Sequence, residues 1–373
     1  MMLVTIIPLL LTFALAFALT ALAMPPVMRL CVRRGWIAVP GGRRLHERPT
    51  PTIGGIAMFV GFTVAMLATF ALDAFGMIAR SQYEVLRVVL MLAGASLIFA
   101  VMWLDDVVEL AAGPKLAAQV VAALIAVGPF LWDQRRLEDA TGALTEARGI
   151  VLTAFNLPFL GQVSLWDISP WLAIGATVFW IVGMSNTVNL VDGLDGLAAG
   201  ISLIAALALA LKAIVLGQLT VALLPLALAG ACVGFLLFNF PPARVFMGDS
   251  GAHLLGYVLA VSAIVGGAKM AAALLVLGVP IIDVAWLIVS RTLGGHSPAQ
   301  SGRDHLHFRL LDLGFTPRQI VIFYYTLSAS FGLLGISDTA MLVKLVALLL
   351  LGLVVGAVLL YVSRRTRAAA ERR

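Results

Sequence analysis

Eleven apolar stretches divide the chain, near residues 3–28, 52–72, 85–104, 115–132, 170–190, 196–215, 219–239, 250–266, 270–291, 318–336 and 340–363, with short polar segments between them. Each is close to the ~20 residues that an α-helix needs to cross the hydrocarbon of a bilayer. The pattern predicts an all-α polytopic membrane protein of eleven transmembrane helices, with residues 1–373 forming one integral membrane domain. One stretch resists a helical reading. Residues 149–166 (GIVLTAFNLPFLGQVSLW) mix β-branched and aromatic residues with Asn-Leu-Pro and Gly breaks, which predicts a short periplasmic β-hairpin inside an outer loop at 133–169.

Composition strengthens this picture. Of 373 residues, 61% are hydrophobic and only 12% charged, whereas a soluble domain averages roughly 25% charged. The net charge of +6 and pI near 9.7 do not point to nucleic acid, because the basic residues cluster at helix ends rather than along one amphipathic face. They act better as an orientation signal. With the N-terminus outside, about two thirds of the Lys and Arg residues fall on the inner side, including the basic tail at 364–373, and the C-terminus is inside. Ala21-Leu22-Ala23 resembles a signal-peptide cleavage site, but no basic residue precedes the apolar run and six arginines follow it, so a retained first helix is expected. Cys31 and Cys232 are too far apart in sequence to suggest a disulfide framework or a thiolate metal site.

This topology sorts the carboxylates by side. Asp105, Asp106, Asp192, Asp195, Asp249 and Asp304 fall in four inner loops, while the outer acids are scattered as on a solvated rim. Ionisable groups at membrane depth are expensive and usually functional. Carboxylates gathered together repel one another unless a cation binds between them, and Mg²⁺ typically takes one or two carboxylates plus substrate phosphates. Thr50-Pro51-Thr52, Asp195-Gly196 and Gly248-Asp249-Ser250-Gly251 each open a span on this side. Unpaired N–H groups at helix N-termini bind phosphate, and glycines such as Gly193 and Gly196 would let a ligand approach the backbone. The inner face therefore reads as built for a metal and phosphates.

Two inner loops are basic, at 41–52 (GGRRLHERPTPT) and at 293–317, and together they hold four of the five histidines. The i, i+2 pair His305 and His307 does not have the i, i+4 spacing of a helical zinc site. Phosphate recognition or proton handling suits these imidazoles better. Arg43, Arg44, His46 and Arg48 are candidates for a lipid phosphate, since Arg binds phosphate bidentately.

Six stretches then carry a resemblance: HERPTPTIGG (46–55), WLDDV (103–107), NTVNLVDGLDGLAAG (186–200), FNFPPARVFMGDSGAHLLG (238–256), VPIID (279–283) and SPAQSGRDHLHFRLLDLGFTPRQ (297–319). In this order they resemble the polyprenyl-phosphate N-acetylhexosamine-1-phosphate transferases of glycosyltransferase family 4. The last stretch is most similar to the undecaprenyl-phosphate N-acetylglucosamine-1-phosphate transferase branch. The peptidoglycan branch typically has three consecutive histidines, and this chain departs from both patterns by placing Phe308 where a fourth His-x-His-His position would be.

The resemblance implies catalytic roles for Asp105, Asp106 and His305, and a Mg²⁺ ion, with Mn²⁺ as an alternative, held by Asp249 and Asp105. It implies a nucleotide-sugar site at Asn189, Asp192, Asp195, Phe246, Arg303 and His307, and leaves Asp283 structural. The implied partners are a UDP-N-acetylhexosamine, undecaprenyl phosphate and membrane lipid, with a homodimer in the inner membrane of a bacterium and the active site on its cytoplasmic face. The implied reaction is attack of the lipid phosphate on the β-phosphorus of the donor with release of UMP, either directly or through a phospho-enzyme. A phospho-N-acetylmuramoyl-pentapeptide transferase is the alternative within the class. An ion-coupled transporter is the alternative outside it, although transporters place their sites near the bilayer midplane.

Overall fold

The computed structural model describes residues 2–39, 49–134, 137–138, 144–145, 149–157, 159, 161–265, 270–293, 305–337 and 339–370. The first helix, α1 (Met2–Arg34), runs 33 residues through Pro8, Pro25 and Pro26. Each proline withholds one N–H from the helical ladder, and near the first of them Thr12 Oγ1 donates to Pro8 O at 2.8 Å. The chain then turns back as β1 (Ile37–Ala38), which pairs antiparallel with β2 (Thr50–Pro51).

Next come α2 (Gly55–Ala74), α3 (Gln82–Val108) and α4 (Ala112–Val127). A reciprocal cap opens α3: Glu84 N donates to Ser81 Oγ, and Ser81 N donates to the Glu84 carboxylate. Short strands follow, β3 (Leu137–Glu138) with β4 (Leu144–Thr145) and β5 (Ala154–Leu157) with β6 (Gly161–Ser164), both pairs antiparallel. The second pair leads into the single turn α5 (Leu165–Ile168), where Trp166 packs edge-on against Phe130 at 4.9 Å. The remaining helices are α6 (Pro170–Val191), α7 (Leu197–Val215), α8 (Leu219–Asn239), α9 (Gly248–Ile264), α10 (Met270–Val276), α11 (Gly278–Leu293), α12 (Leu306–Asp312), α13 (Pro317–Ile336) and α14 (Met341–Ala370).

Among the described residues, nine helices are long and apolar enough to cross a membrane, or ten if α10 and α11 count as one span. The chain is thus a multi-pass membrane protein, and the difference from the expected eleven spans lies in two segments. The expected span at 250–266 is α9, only 17 residues long and buried at every position from Ser250 to Ile264. At 1.5 Å per residue it is about 26 Å long, and it packs against α2, α3, α6, α7, α8 and α10, at the centre of the bundle. The expected straight span at 270–291 is instead broken, with α10 and α11 meeting at 74°. Pro280 explains the break: it has no N–H for the carbonyl of Val276, and its ring crowds that carbonyl.

Hydrogen bonds sort the helix ends. At one end Asp106 meets Asp249 and Ser250, Ala243 meets Asp195, Tyr325 meets Gly196, and Arg318 meets Pro241. At the other, Thr220 meets Glu84, Arg87 meets Gly149 and Lys212 meets Ile336. The motif-bearing segments therefore share one end of the bundle.

Candidate active site

An open cavity of about 1360 Å³ occupies that end. Its lining includes Asn189, Asp192, Asp195, Phe246 and Asp249, so five of the expected site residues face one space. Asp105 and Asp106 adjoin it at the end of α3. Asp105 is 6% exposed and accepts from Leu110 N at 2.7 Å. Its other oxygen lies 2.8 Å from Lys115 Nζ, and the same ammonium lies 3.5 Å from Asp249 Oδ2. The carboxyls of Asp105 and Asp249 are also within hydrogen-bonding reach of each other. One lysine thus bridges two carboxylates from different helices.

Asp106 does something different. Its carboxylate accepts from Asp249 N at 2.7 Å, Ser250 N at 3.1 Å and Ser250 Oγ at 2.6 Å. It caps α9 from a separate helix, where a negative charge also complements the N-terminal dipole. Gly248, with φ +78°, supplies the left-handed turn that starts α9, and a Cβ there would lie 2.6 Å from Asp106 Oδ2. Only glycine fits both requirements.

Several of the N–H groups expected to be unpaired at these helix N-termini have partners within the fold. Thr50 and Pro51 form β2 rather than opening α2, and Thr52 Oγ1 donates to Trp36 O. Gly54 N and Gly55 N donate to Phe246 O and Met247 O at 2.8 and 2.9 Å. Gly196 N donates to Asn239 Oδ1 at 2.8 Å, and the α9 donors go to Asp106. The loops use these N–H groups to hold one another in place. Asn239, which carried no expected role, links two loops, because its Nδ2 also donates to Val245 O at 2.8 Å.

The histidines are placed differently from expectation. His305 and His307 are 5% and 1% exposed, and neither lines the cavity. His305 Nδ1 is 2.9 Å from Asp283 Oδ2, and Leu306 N donates to Asp283 Oδ1 at 2.9 Å, so Asp283 fixes the start of α12 against α11. His307 packs beneath the turn at 190–196: a Cβ on Gly193 would lie 2.4 Å from His307 Nε2. The missing side chain at Gly193 makes room for the imidazole, and Gly193 also lines the cavity. Arg43, Arg44, His46, Arg48 and Arg303 lie outside the described residues, as do Asp304 and the end of the basic tail.

Sequence reasoning missed Lys115, Arg244, Phe308, Thr316 and Arg318. The last four line the cavity. Arg318 lies within the Thr316–Gln319 capping box of α13, and its guanidinium also donates to Pro241 O at 2.9 Å. A basic residue in the first turn of a helix opposes the dipole, and that anomaly was the available signal.

A divalent cation suits this donor set. The carboxylates at Asp105, Asp192, Asp195 and Asp249 offer hard oxygens, and burial together with Asp249, Asp106 and Asp195 pushes the half-buried Asp192 carboxyl up to about 7. Lys115 supplies one positive charge to the Asp105–Asp249 pair. Among the described residues no group of three or more His, Cys, Asp or Glu side chains is arranged to hold a metal ion; Mg²⁺ is commonly bound by one or two carboxylates together with substrate phosphates.

Fold and site together define a multi-pass membrane protein with a cavity lined by carboxylates at one end. The family model for glycosyl transferase family 4 matches residues 88–267. The chain is 30% identical to the probable undecaprenyl-phosphate N-acetylglucosaminyl 1-phosphate transferase of Bacillus subtilis, over 85% of this chain and 82% of that protein. It is 33% identical to the decaprenyl-phosphate N-acetylglucosaminephosphotransferase of Mycobacterium tuberculosis over 83% of this chain and 77% of that one. It is also 34% identical to the phospho-N-acetylmuramoyl-pentapeptide-transferase of Desulforudis audaxviator, over 89% and 98%. The chain belongs to glycosyl transferase family 4, the polyprenyl-phosphate sugar-1-phosphate transferases.

Proposed function

We propose that this enzyme transfers N-acetylglucosamine-1-phosphate from UDP-N-acetylglucosamine to undecaprenyl phosphate, releasing UMP. The observation that carries the reading is the convergence of Asn189, Asp192, Asp195, Phe246 and Asp249 on one cavity with Asp105 and Asp106 at its edge. The lipid phosphate oxygen would form a bond to the β-phosphorus as the bond to the bridging oxygen of UMP breaks. Phosphoryl transfer asks the protein mainly for positioning and charge stabilisation.

Asp105 and Asp249 are the groups that would hold Mg²⁺. When bound, the ion neutralises phosphate charge that two carboxylates would otherwise repel. Of the two α3 aspartates, Asp105 is the one assigned to accept a proton from the lipid phosphate, since Asp106 is engaged by Asp249 N, Ser250 N and Ser250 Oγ of α9. Phe246 offers a ring face for the uracil. Arg244 and Arg318 offer charge to the donor's phosphates, and Arg43, Arg44, His46 and Arg48 remain the candidates for the lipid phosphate. Trp103, Leu104, Val107 and Val108 flank the aspartates and are 39%, 48%, 39% and 56% exposed. That apolar face gives a polyprenyl chain a way in from the hydrocarbon. His305 acts by positioning, through Asp283. The reading places the site on the cytoplasmic side of the bacterial inner membrane, N-terminus outside and C-terminus inside.

The 34% identity to a phospho-N-acetylmuramoyl-pentapeptide-transferase supports a second reading, with UDP-N-acetylmuramoyl-pentapeptide as donor. Offering both donors at equal concentration to purified protein with undecaprenyl phosphate and Mg²⁺ separates the two. The first reading expects N-acetylglucosamine in the lipid product; muramoyl-pentapeptide there would replace it with the second.

A further inference from the structure

The ammonium of Lys115 sits where a cation between Asp105 and Asp249 would sit, 2.8 Å from one carboxylate and 3.5 Å from the other. It comes from the first turn of α4, four residues past Ala111, on a different helix from either acid. Asp106 cannot relieve the crowding, since its oxygens are taken by Asp249 N, Ser250 N and Ser250 Oγ. Two carboxylates within hydrogen-bonding reach need a shared proton or a positive charge between them, and Lys115 provides the charge.

We propose that Lys115 is a built-in competitor for the divalent cation: it holds Asp105 and Asp249 together in the unloaded protein and must release them for the ion to bind. This rests on the divalent-cation reading above. The competition has a defined cost. If the lysine pairs with the carboxylates nine-tenths of the time, the apparent metal affinity falls about tenfold below that of the bare site. Two consequences follow: the empty site neither collapses nor repels the nucleotide-sugar, and it binds the metal tightly only when substrate phosphates add to the ion's ligands.

The test is Mn²⁺ titration of the purified, substrate-free full chain, reading free Mn²⁺ by electron paramagnetic resonance. Lys115→Met is expected to bind Mn²⁺ about tenfold more tightly than wild type, and Lys115→Arg, which keeps the charge, to stay within about threefold. Arg244→Met removes a charge from the same cavity without touching either acid, since Arg244 is bonded to Leu237 O and lies over the Phe238 ring. It is expected to change affinity less than threefold. A Lys115→Met affinity equal to or weaker than wild type overturns the proposal, and so does an Arg244→Met gain as large as that of Lys115→Met. Should Lys115→Met fail to fold without metal, Lys115→Gln serves the same titration, and recovery of its thermal midpoint on adding Mn²⁺ is the supporting result; no recovery counts against it. Asp249→Asn separates the underlying reading: it should lose Mn²⁺ binding, and wild-type binding there would remove the metal site itself.

Discussion

Asp106 belongs to the paired acids that the resemblance marks as catalytic, yet its geometry makes it a clamp on α9. Asp106→Ala removes an ionised acceptor from Asp249 N, Ser250 N and Ser250 Oγ, bonded at 2.7, 3.1 and 2.6 Å. Ser250 Oγ can rotate to another acceptor, but the two N–H groups cannot. Losing an N-cap costs about 0.5–2 kcal/mol, and bonds to a charged acceptor are worth about 1.5–3 kcal/mol each. These overlap, because they describe the same contacts, so a loss of about 3 kcal/mol is expected. Asp106→Asn keeps an acceptor for Asp249 N and can turn its NH₂ toward Ser250 Oγ, leaving only Ser250 N unpaired; about 1 kcal/mol is expected. The assay is unfolding of detergent-purified protein followed by tryptophan fluorescence, alongside UMP release. Stability should fall in the order wild type, Asn, Ala, with Asn retaining more transfer activity than Ala. Wild-type stability in Asp106→Ala, or equal inactivity of the two variants without a stability difference, would refute the clamp and restore a direct chemical role.

Asp192 makes a pH-dependent prediction. Its carboxyl titrates near 7 in the fold against about 3.9 in an unfolded chain, so its ionisation penalises the folded state. The favourable, protonated condition is complete below the unfolded value and is lost as pH rises to about 7. Metal-free Asp192→Asn should therefore match wild type near pH 4 and become progressively more stable than it up to about pH 7, then plateau; a pH-independent difference would argue against the crowding. At Gly193, an added Cβ would meet His307 Nε2 at 2.4 Å. Gly193→Ala should cost about 1–3 kcal/mol, and pairing it with His307→Ala should recover much of that in a double-mutant cycle; strict additivity would mean the two residues do not touch.

What the sequence made legible depended on how local each signal was. Span positions follow from runs of apolar residues, and the helices that face lipid, such as α1 and α14, repeat those runs closely. The break in α10–α11 was marked by Pro280, but a break and a mild kink look alike until packing decides between them. The acidic residues could be gathered on one side by counting spans, because topology is read from charge at helix ends. Their division of labour could not. Asp105 and Asp106 are neighbours in sequence, yet a step of about 100° around α3 turns one toward Lys115 and the other toward the start of α9. Lys115 looked like a topology residue; its place in the first turn of α4, where a positive charge opposes the helix dipole, is the same local signal that marks Arg318. Several helix N-terminal N–H groups are already paired, since a buried N–H takes whatever acceptor the fold provides, here Asn239, Asp106 and the carbonyls of Phe246 and Met247. Composition cannot reveal that an orphan donor has found a partner far away in the sequence.

The central claim, that a sugar-phosphate rather than a bare sugar moves to the lipid, is tested most directly by following the phosphorus. Purified protein receives UDP-N-acetylglucosamine carrying ³²P only at the β-phosphate, with undecaprenyl phosphate and Mg²⁺. The label should appear in the organic-phase lipid together with an equal amount of UMP. Label remaining in aqueous UDP would indicate ordinary glycosyl transfer, and label remaining in intact donor would indicate no transfer at all; either result contradicts the account.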